Sequence, residues 1–151
     1  MDGHEHPDYM PTILLSAIDN PGLSNFFIVT EEPFDWRSPK KDKLWSKTGG
    51  INNPCPEGWR LPTIEEWENT SSGWNSLEDA FNSPLKISAS GYRRCSDGMM
   101  TKNDGACSIV LWSCTTNENQ AYSISIGATE PIIEKNNRAM GIPVRCIKAE
   151  N

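Results

Sequence analysis

Histidine is nearly absent from this chain. His4 and His6 are its only two, so beyond the first six residues no imidazole can serve as base to a serine or cysteine nucleophile. Also missing are a glycine-rich phosphate loop, a His-Glu-x-x-His pair, a Cys-x-x-Cys pair and a Gly-x-Ser-x-Gly elbow, and with them the enzyme classes those motifs mark. No apolar run approaches the ~20 residues of a membrane helix, and the acidic start Met1-Asp2-Gly3 has no signal-peptide core. Positive charge is scarce too: 14 Lys and Arg face 20 Asp and Glu, for a net charge of −6. A nucleic-acid partner is therefore disfavoured, since counterion release needs clustered cations. Lys40-Lys41 with Lys43, and Arg93-Arg94, are the only basic clusters, and both are short.

What is present points to an irregular, antiparallel protein. Hydrophobic content is only 36%, yet six tryptophans and four phenylalanines supply large packing units. Eleven glycines and eleven prolines argue for loops and strands over helices. With 151 residues, one domain is expected over 12–151, preceded by a mobile arm or junction over 1–11.

The most densely specified stretch is Asn53 to Trp67. Pro54 and Pro56 hold Cys55 extended. Glu57-Gly58 signals a turn, and Trp59-Arg60-Leu61 reads as a short strand with Trp59 and Leu61 on one face. Thr63 with Glu66 forms a capping box, predicting a helix over about 63–70 with a Leu61–Trp67 staple. Ser76 with Asp79 starts a second short helix carrying Leu77, Ala80 and Phe81 toward the core.

Elsewhere the pattern is extended. Residues 12–18 and 25–30 read as strands that a hairpin would pair, and 31–54 as a long loop pinned by Phe34, Trp36 and Trp45. From Leu85 the period becomes two: Leu85, Ile87, Ala89 and Gly91 share a face. Cys107 to Cys114 is apolar on both faces, as a central strand should be. Tyr122, Ile124 and Ile126 mark a half-exposed strand, and Ile142, Val144 and Cys146 share a face of the last one. Two polar loops, 115–120 and 134–138, lie between.

Cys-Pro-x-Gly-Trp-Arg-Leu-Pro-Thr at 55–63 is followed by Ala89-Ser90-Gly91-Tyr92-Arg93, Trp112-Ser113-Cys114-Thr115, and Asn137-Arg138-Ala139-Met140-Gly141-Ile142-Pro143-Val144-Arg145-Cys146. In that order, over roughly residues 24–148, these resemble the Fibrobacter-type major paralogous domain, a C-type-lectin-like module. Similar modules form the ligand-binding ends of phage tail proteins and of diversity-generating retroelement variable proteins. The resemblance implies an α+β, C-type-lectin-like fold: a mostly antiparallel sheet, two short helices, long loops and a disulfide staple. It implies a bond from Cys55 to Cys146, as in lectin-like folds. Cys95 and Cys107, twelve apart around turn residues, suit a stapled hairpin or loop, which leaves Cys114 over in a strand. Five buried thiols are the alternative.

Function follows from the same resemblance. Calcium-dependent lectins of this fold carry Glu-Pro-Asn or Gln-Pro-Asp and then Trp-Asn-Asp. Here Glu130-Pro131 meets Ile132 and Trp112 meets Ser113, too few oxygens for calcium. Carried over by position from the retroelement proteins, Asn117, Glu118, Asn119, Tyr122, Asn136 and Asn137 would form the ligand face, with Tyr92, Arg93, Arg94 and Asp97 beside it. The alternative is ordinary solvated loops with Arg138 and Arg145 in structural salt bridges. The expectation is a non-catalytic, cofactor-free and metal-independent module that binds a host-surface protein or glycan. It would sit on a virion or extracellular surface beside other subunits, including copies of itself. A virion decoration protein without ligand is the rival, and a formylglycine-generating-type enzyme a distant third.

Overall fold

The structure, a computed structural model, describes residues 15–22, 26–48, 50–101 and 109–149. Its centre is an antiparallel three-stranded sheet of β4 (Ile109–Asn117), β5 (Gln120–Ile126) and β6 (Ile132–Asn137), in the order β4-β5-β6. Two-stranded ribbons flank it: β1 (Trp59–Arg60) with β7 (Ile147–Lys148), and β2 (Tyr92–Arg93) with β3 (Met100–Thr101). Helices α1 (Ile64–Ser71) and α2 (Leu77–Asn82) lie between β1 and β2 in the chain. The α+β class and its antiparallel pairing are as expected.

The run Ile109 to Trp112 is buried throughout, and its alternation divides the core. Ile109 and Leu111 join Trp67, Ala80, Ile87, Ile124 and Ile126 in one cluster beside the helices. Val110 and Trp112 join Leu61 and Ile142 in a second cluster on the other face, flanked by Trp45, Tyr92, Met140 and Val144. Successive side chains of a strand point to opposite faces, so this one run needs two covering layers. The outer edge of β4 is also covered: Trp112 N–H donates to the Pro143 carbonyl (3.0 Å) and Cys114 N–H to the Pro62 carbonyl (2.8 Å).

The register of β4 against β5 shifts between Trp112 and Thr116. Ser113, 1% exposed, fills the irregularity, its hydroxyl donating to the Tyr122 carbonyl and accepting from Thr115 N–H. The Thr115 hydroxyl accepts from Ile64 N–H, and so satisfies an orphan donor of α1. The capping box of Thr63 and Glu66 is complete. Arg60, 5% exposed, forks onto the same Glu66 carboxylate with two bonds of 2.7 Å. Ser76 caps α2 as its sequence predicts.

The Cys55–Cys146 disulfide is formed, with Cα atoms 5.8 Å apart across 91 residues. It ties the approach to α1 to the closing segment next to the β1–β7 ribbon. The second expected bridge is not: Cys95 is a free thiol, and Cys107 lies outside the described residues. Tyr92 pairs with Thr101 and Arg93 with Met100, which places Cys95 in the turn between β2 and β3. Cys114 is the other free thiol, half-buried in β4 as expected.

Other expectations need correcting. Among the described residues Ser16 pairs with Arg37 and Val29 N–H bonds the Cys95 carbonyl, and no pair joining 12–18 to 25–30 is seen. Residues 12–14 and 25, the 1–11 arm and its two histidines lie outside the described residues. Leu61 and Trp67 are in different clusters and form no staple, Trp59 is 45% exposed, and Phe81 is 53% exposed. Residues 85–90 form no strand: Leu85 lies in a turn and Lys86 is left-handed (φ 49°); 142–146 form no ladder beyond the Gly141–Arg93 bridge. Gly141 is required there for space, since a Cβ would stand 2.7 Å from the Phe26 ring. Strand β5 is central, not half-exposed, while β4, expected to be central, is an edge strand that runs on to Asn117; of the expected loop 115–120 only Glu118 and Asn119 are turn, and 134–137 is strand, not loop.

Two measurements test these supports. Reductant should lower the melting temperature by about 5–15 °C, as loss of 2–4 kcal/mol implies at this size; an unchanged value would mean that the bridge carries no stability. Glu66 has its pKa lowered from 4.5 to about 2, first by the Arg60 hydrogen bonds, against partial burial, with Thr63 N–H and Lys47 assisting. A depressed carboxylate stabilises the fold above its unfolded pKa and loses that stabilisation as pH falls through the folded one. Unfolding free energy should therefore drop by about 2–3 kcal/mol between pH 5 and 2 through this group. Glu66→Gln should flatten that slope in pH-resolved denaturant titrations, and an equal slope in both proteins would refute the assignment.

Candidate functional site

Segment 32–36 crosses the end of the sheet where β4 turns into β5. On one side Glu32, Pro33 and Phe34 meet Asn117, Glu118, Asn119, Gln120 and Asn137 around a cleft of about 320 Å³. On the other, Trp36, Leu44 and Trp45 close over Trp112, Cys114, Thr116 and Ala121, leaving a space of only about 50 Å³. The split follows from register. Asn117 pairs with Gln120 and Gln120 with Asn137, so these share one face, while Thr116 and Ala121 share the other.

Four of the ten expected ligand residues, Asn117, Glu118, Asn119 and Asn137, thus meet at one cleft. The others do not join them. Asn136 is on the opposite face, its side-chain amide donating to Ser123 Oγ at 2.8 Å. Tyr122 pairs with Lys135 farther along the sheet, with the ammonium 5.5 Å from its ring centre. Tyr92 packs on the second core cluster, and Arg93 donates to the Gly98 carbonyl at 2.9 Å. Arg94 and Asp97 form an exposed ion pair within the β2–β3 turn, and Asp97 also accepts from Met99 N–H. Asx-turn geometry accounts for that aspartate.

One guanidinium holds both sides of the cleft. Arg138, whose side chain is 8% exposed, donates from Nη2 to the Glu118 carbonyl (2.6 Å) and from Nε to the Gln120 carbonyl (3.3 Å). It also pairs with Asp42 at 2.6 Å and Asp35 at 3.6 Å. Lys40 Nζ adds a second bond to the Glu118 carbonyl at 2.9 Å. The turn and the 32–42 segment are thereby fixed to each other. Asp35 is 3% exposed, and burial pushes its carboxyl above the ordinary aspartate value even though Arg37 N–H and Arg138 favour the charge. Arg138 is thus one of the two arginines for which structural salt bridges were the alternative. Arg145 is exposed and has no carboxylate partner among the described residues.

Backbone strain collects here as well. The described non-glycine residues with positive φ are Phe34 (55°), Lys86 (49°) and Glu118 (47°), and two of these three line the cleft. Left-handed backbone costs an L-residue roughly 1–2 kcal/mol. Phe34 is kept there by its own N–H on the Glu31 carbonyl and by Ala139 N–H on its carbonyl, both 3.0 Å.

Sequence reasoning missed Glu32, Pro33, Phe34 and Gln120. A usable signal was an acidic residue inside an aromatic pair, Phe34-Asp35-Trp36, which when buried demands a cation and so points to Arg138. For other chemistry, no group of three or more His, Cys, Asp or Glu converges as metal ligands among the described residues. Burial pushes the Cys114 thiol up, opposite to what an attacking thiolate needs. Comparison with protein-family models, with curated proteins and with solved structures finds no match.

Lysine at 138 keeps the charge but cannot fork. Arg138→Lys should cost about 2 kcal/mol and should speed amide hydrogen exchange at Asn119, Gln120 and Ala139 at least tenfold beyond any change in α1. Uniform acceleration, or none, would remove Arg138 from this role.

Proposed function

We propose that the chain is a non-catalytic recognition module of the C-type-lectin-like type, which binds its ligand without a metal in the cleft at the β4–β5 turn. One observation carries this reading: the left-handed residues Phe34 and Glu118 face a common hollow, Phe34 held by backbone hydrogen bonds to Glu31 and Ala139 and Glu118 by the buried Arg138. Strain of this kind persists only where its surroundings impose it, and it gathers at binding and catalytic sites. Asn117, Asn119 and Asn137 supply adaptable hydrogen bonding on a fixed frame, as many paratopes do.

The lectin-like part of the reading is supported by the Cys55–Cys146 clasp and by the β1–β7 pairing, which join the segment before α1 to the end of the chain. A disulfide of this span suits an oxidising setting, in keeping with a virion or extracellular surface, such as the receptor-binding end of a phage tail. No helix among the described residues is long and apolar enough to cross a membrane.

The test is binding of labelled protein to a glycan array and to cell surfaces, parent against an Asn117→Ala, Asn119→Ala, Asn137→Ala triple variant. The variant should bind at least tenfold more weakly while melting within about 2 °C of the parent, since none of the three side chains is buried. Equal binding by both proteins would exclude the cleft as the recognition site.

A further inference from the structure

We infer that this cleft selects uncharged polyhydroxylated ligands, neutral saccharides above all, and turns acidic ones away; the inference rests on the cleft being the recognition site. Its polar lining consists of four amides, Asn117, Asn119, Gln120 and Asn137, and two carboxylates, Glu32 and Glu118. An amide carries donors and acceptors side by side, which matches a hydroxyl that both gives and takes a hydrogen bond. The amides of Asn117 and Asn119 have no hydrogen-bond partner among the described residues, and Asn137 is engaged only through its Oδ1, which accepts from Gln120 Nε2 at 3.4 Å. Phe34 adds an apolar wall for the C–H face of a sugar ring.

Charge decides the class. Among the described residues no lysine or arginine lines the cleft. Arg138 is neutralised by Asp35 and Asp42, and the one cation at the rim among these residues is Lys40, whose ammonium rests on the Glu118 carbonyl. A sialic acid, uronate or sulfate entering would meet two carboxylates against the single rim ammonium of Lys40, and an excess of like charge at an interface suppresses binding. At about 320 Å³ the hollow is at the small end of ligand pockets, so it fits a short terminal unit of a glycan, not an extended chain.

The experiment is a glycan array with matched neutral, sialylated, uronate-bearing and sulfated members, probed with the full chain. Signal should fall on neutral glycans at least tenfold above their acidic counterparts. A Glu32→Lys, Glu118→Lys double variant should narrow or reverse that ratio, and Asn119→Ala with Asn137→Ala should abolish the signal. Preference for acidic glycans, or a ratio unmoved by the double lysine variant, would overturn the inference. So would capture of a cell-surface protein and no glycan; if the asparagine variants still abolished that capture, the cleft would stand and only the ligand class would fall. Binding of any kind that ignores the asparagine variants would instead sink the cleft itself.

Discussion

A strand that is apolar on both faces must be covered twice, and the rest of the architecture answers that demand. Ile109 to Trp112 points alternate side chains into two separate clusters. A chain with 36% hydrophobic residues has too few of them to build two regular layers. The helices cover one face with Trp67, Ala80 and their neighbours. The other face is covered by loop, and there tryptophan takes the place of secondary structure: Trp45 packs against the second cluster and Trp36 lies tilted against Phe27 with ring centres 5.8 Å apart. Large rings let a few irregular residues do what a helix does elsewhere.

A loop layer has no ladder to hold it, so its backbone groups need other partners. Here they find them one at a time. Pro62 and Pro143 lend carbonyls to the edge of β4, Ser113 and Thr115 patch the irregular register, and the Cys55–Cys146 bond anchors the two approaches. Arg60 and Arg138 play matching parts at opposite ends of this layer. Each is a buried guanidinium that gathers a carboxylate and a backbone carbonyl: Glu66 and Leu61 for Arg60, Asp42 and Glu118 for Arg138. Buried arginine is tolerated because its forked donors are satisfied, and breaking either set would strand a charge.

These devices explain what was legible in the sequence. Local chemistry could be read wherever a few neighbouring residues determine structure: the Thr63–Glu66 box, the Ser76 cap, the apolar double face of β4, though not its continuation to Asn117. Long-range partners could be read only through family resemblance, as with Cys55 and Cys146. The failures share one cause. Strand β6 is polar because it is the sheet's edge, so Glu134-Lys135-Asn136-Asn137 looks like a loop, and β5 then looks half-exposed. Cys95 and Cys107 looked paired because turn residues between them suggest return of the chain, but the hairpin closes earlier, at Met100. For the candidate site, the asparagines of the turn were visible by position. Phe34 and Glu32 were not, because nothing in a polar, proline-broken segment announces that it will cross the end of a sheet.

The position of the cleft follows from the same economy. Only where loop and sheet end together does the second layer stop being core and become surface, and there Arg138 holds the boundary. Inside it, Asp35 is buried and its carboxyl raised; outside it, Asp42 is exposed on the same guanidinium. A boundary fixed by charge and by two left-handed residues cannot relax without loosening the loop layer behind it. The cost of strain at Phe34 and Glu118 is thus borne by the packing of Trp36, Trp45 and Trp112. That coupling lets a chain with few helices and a short sheet fix the backbone that carries adaptable amide side chains at its rim.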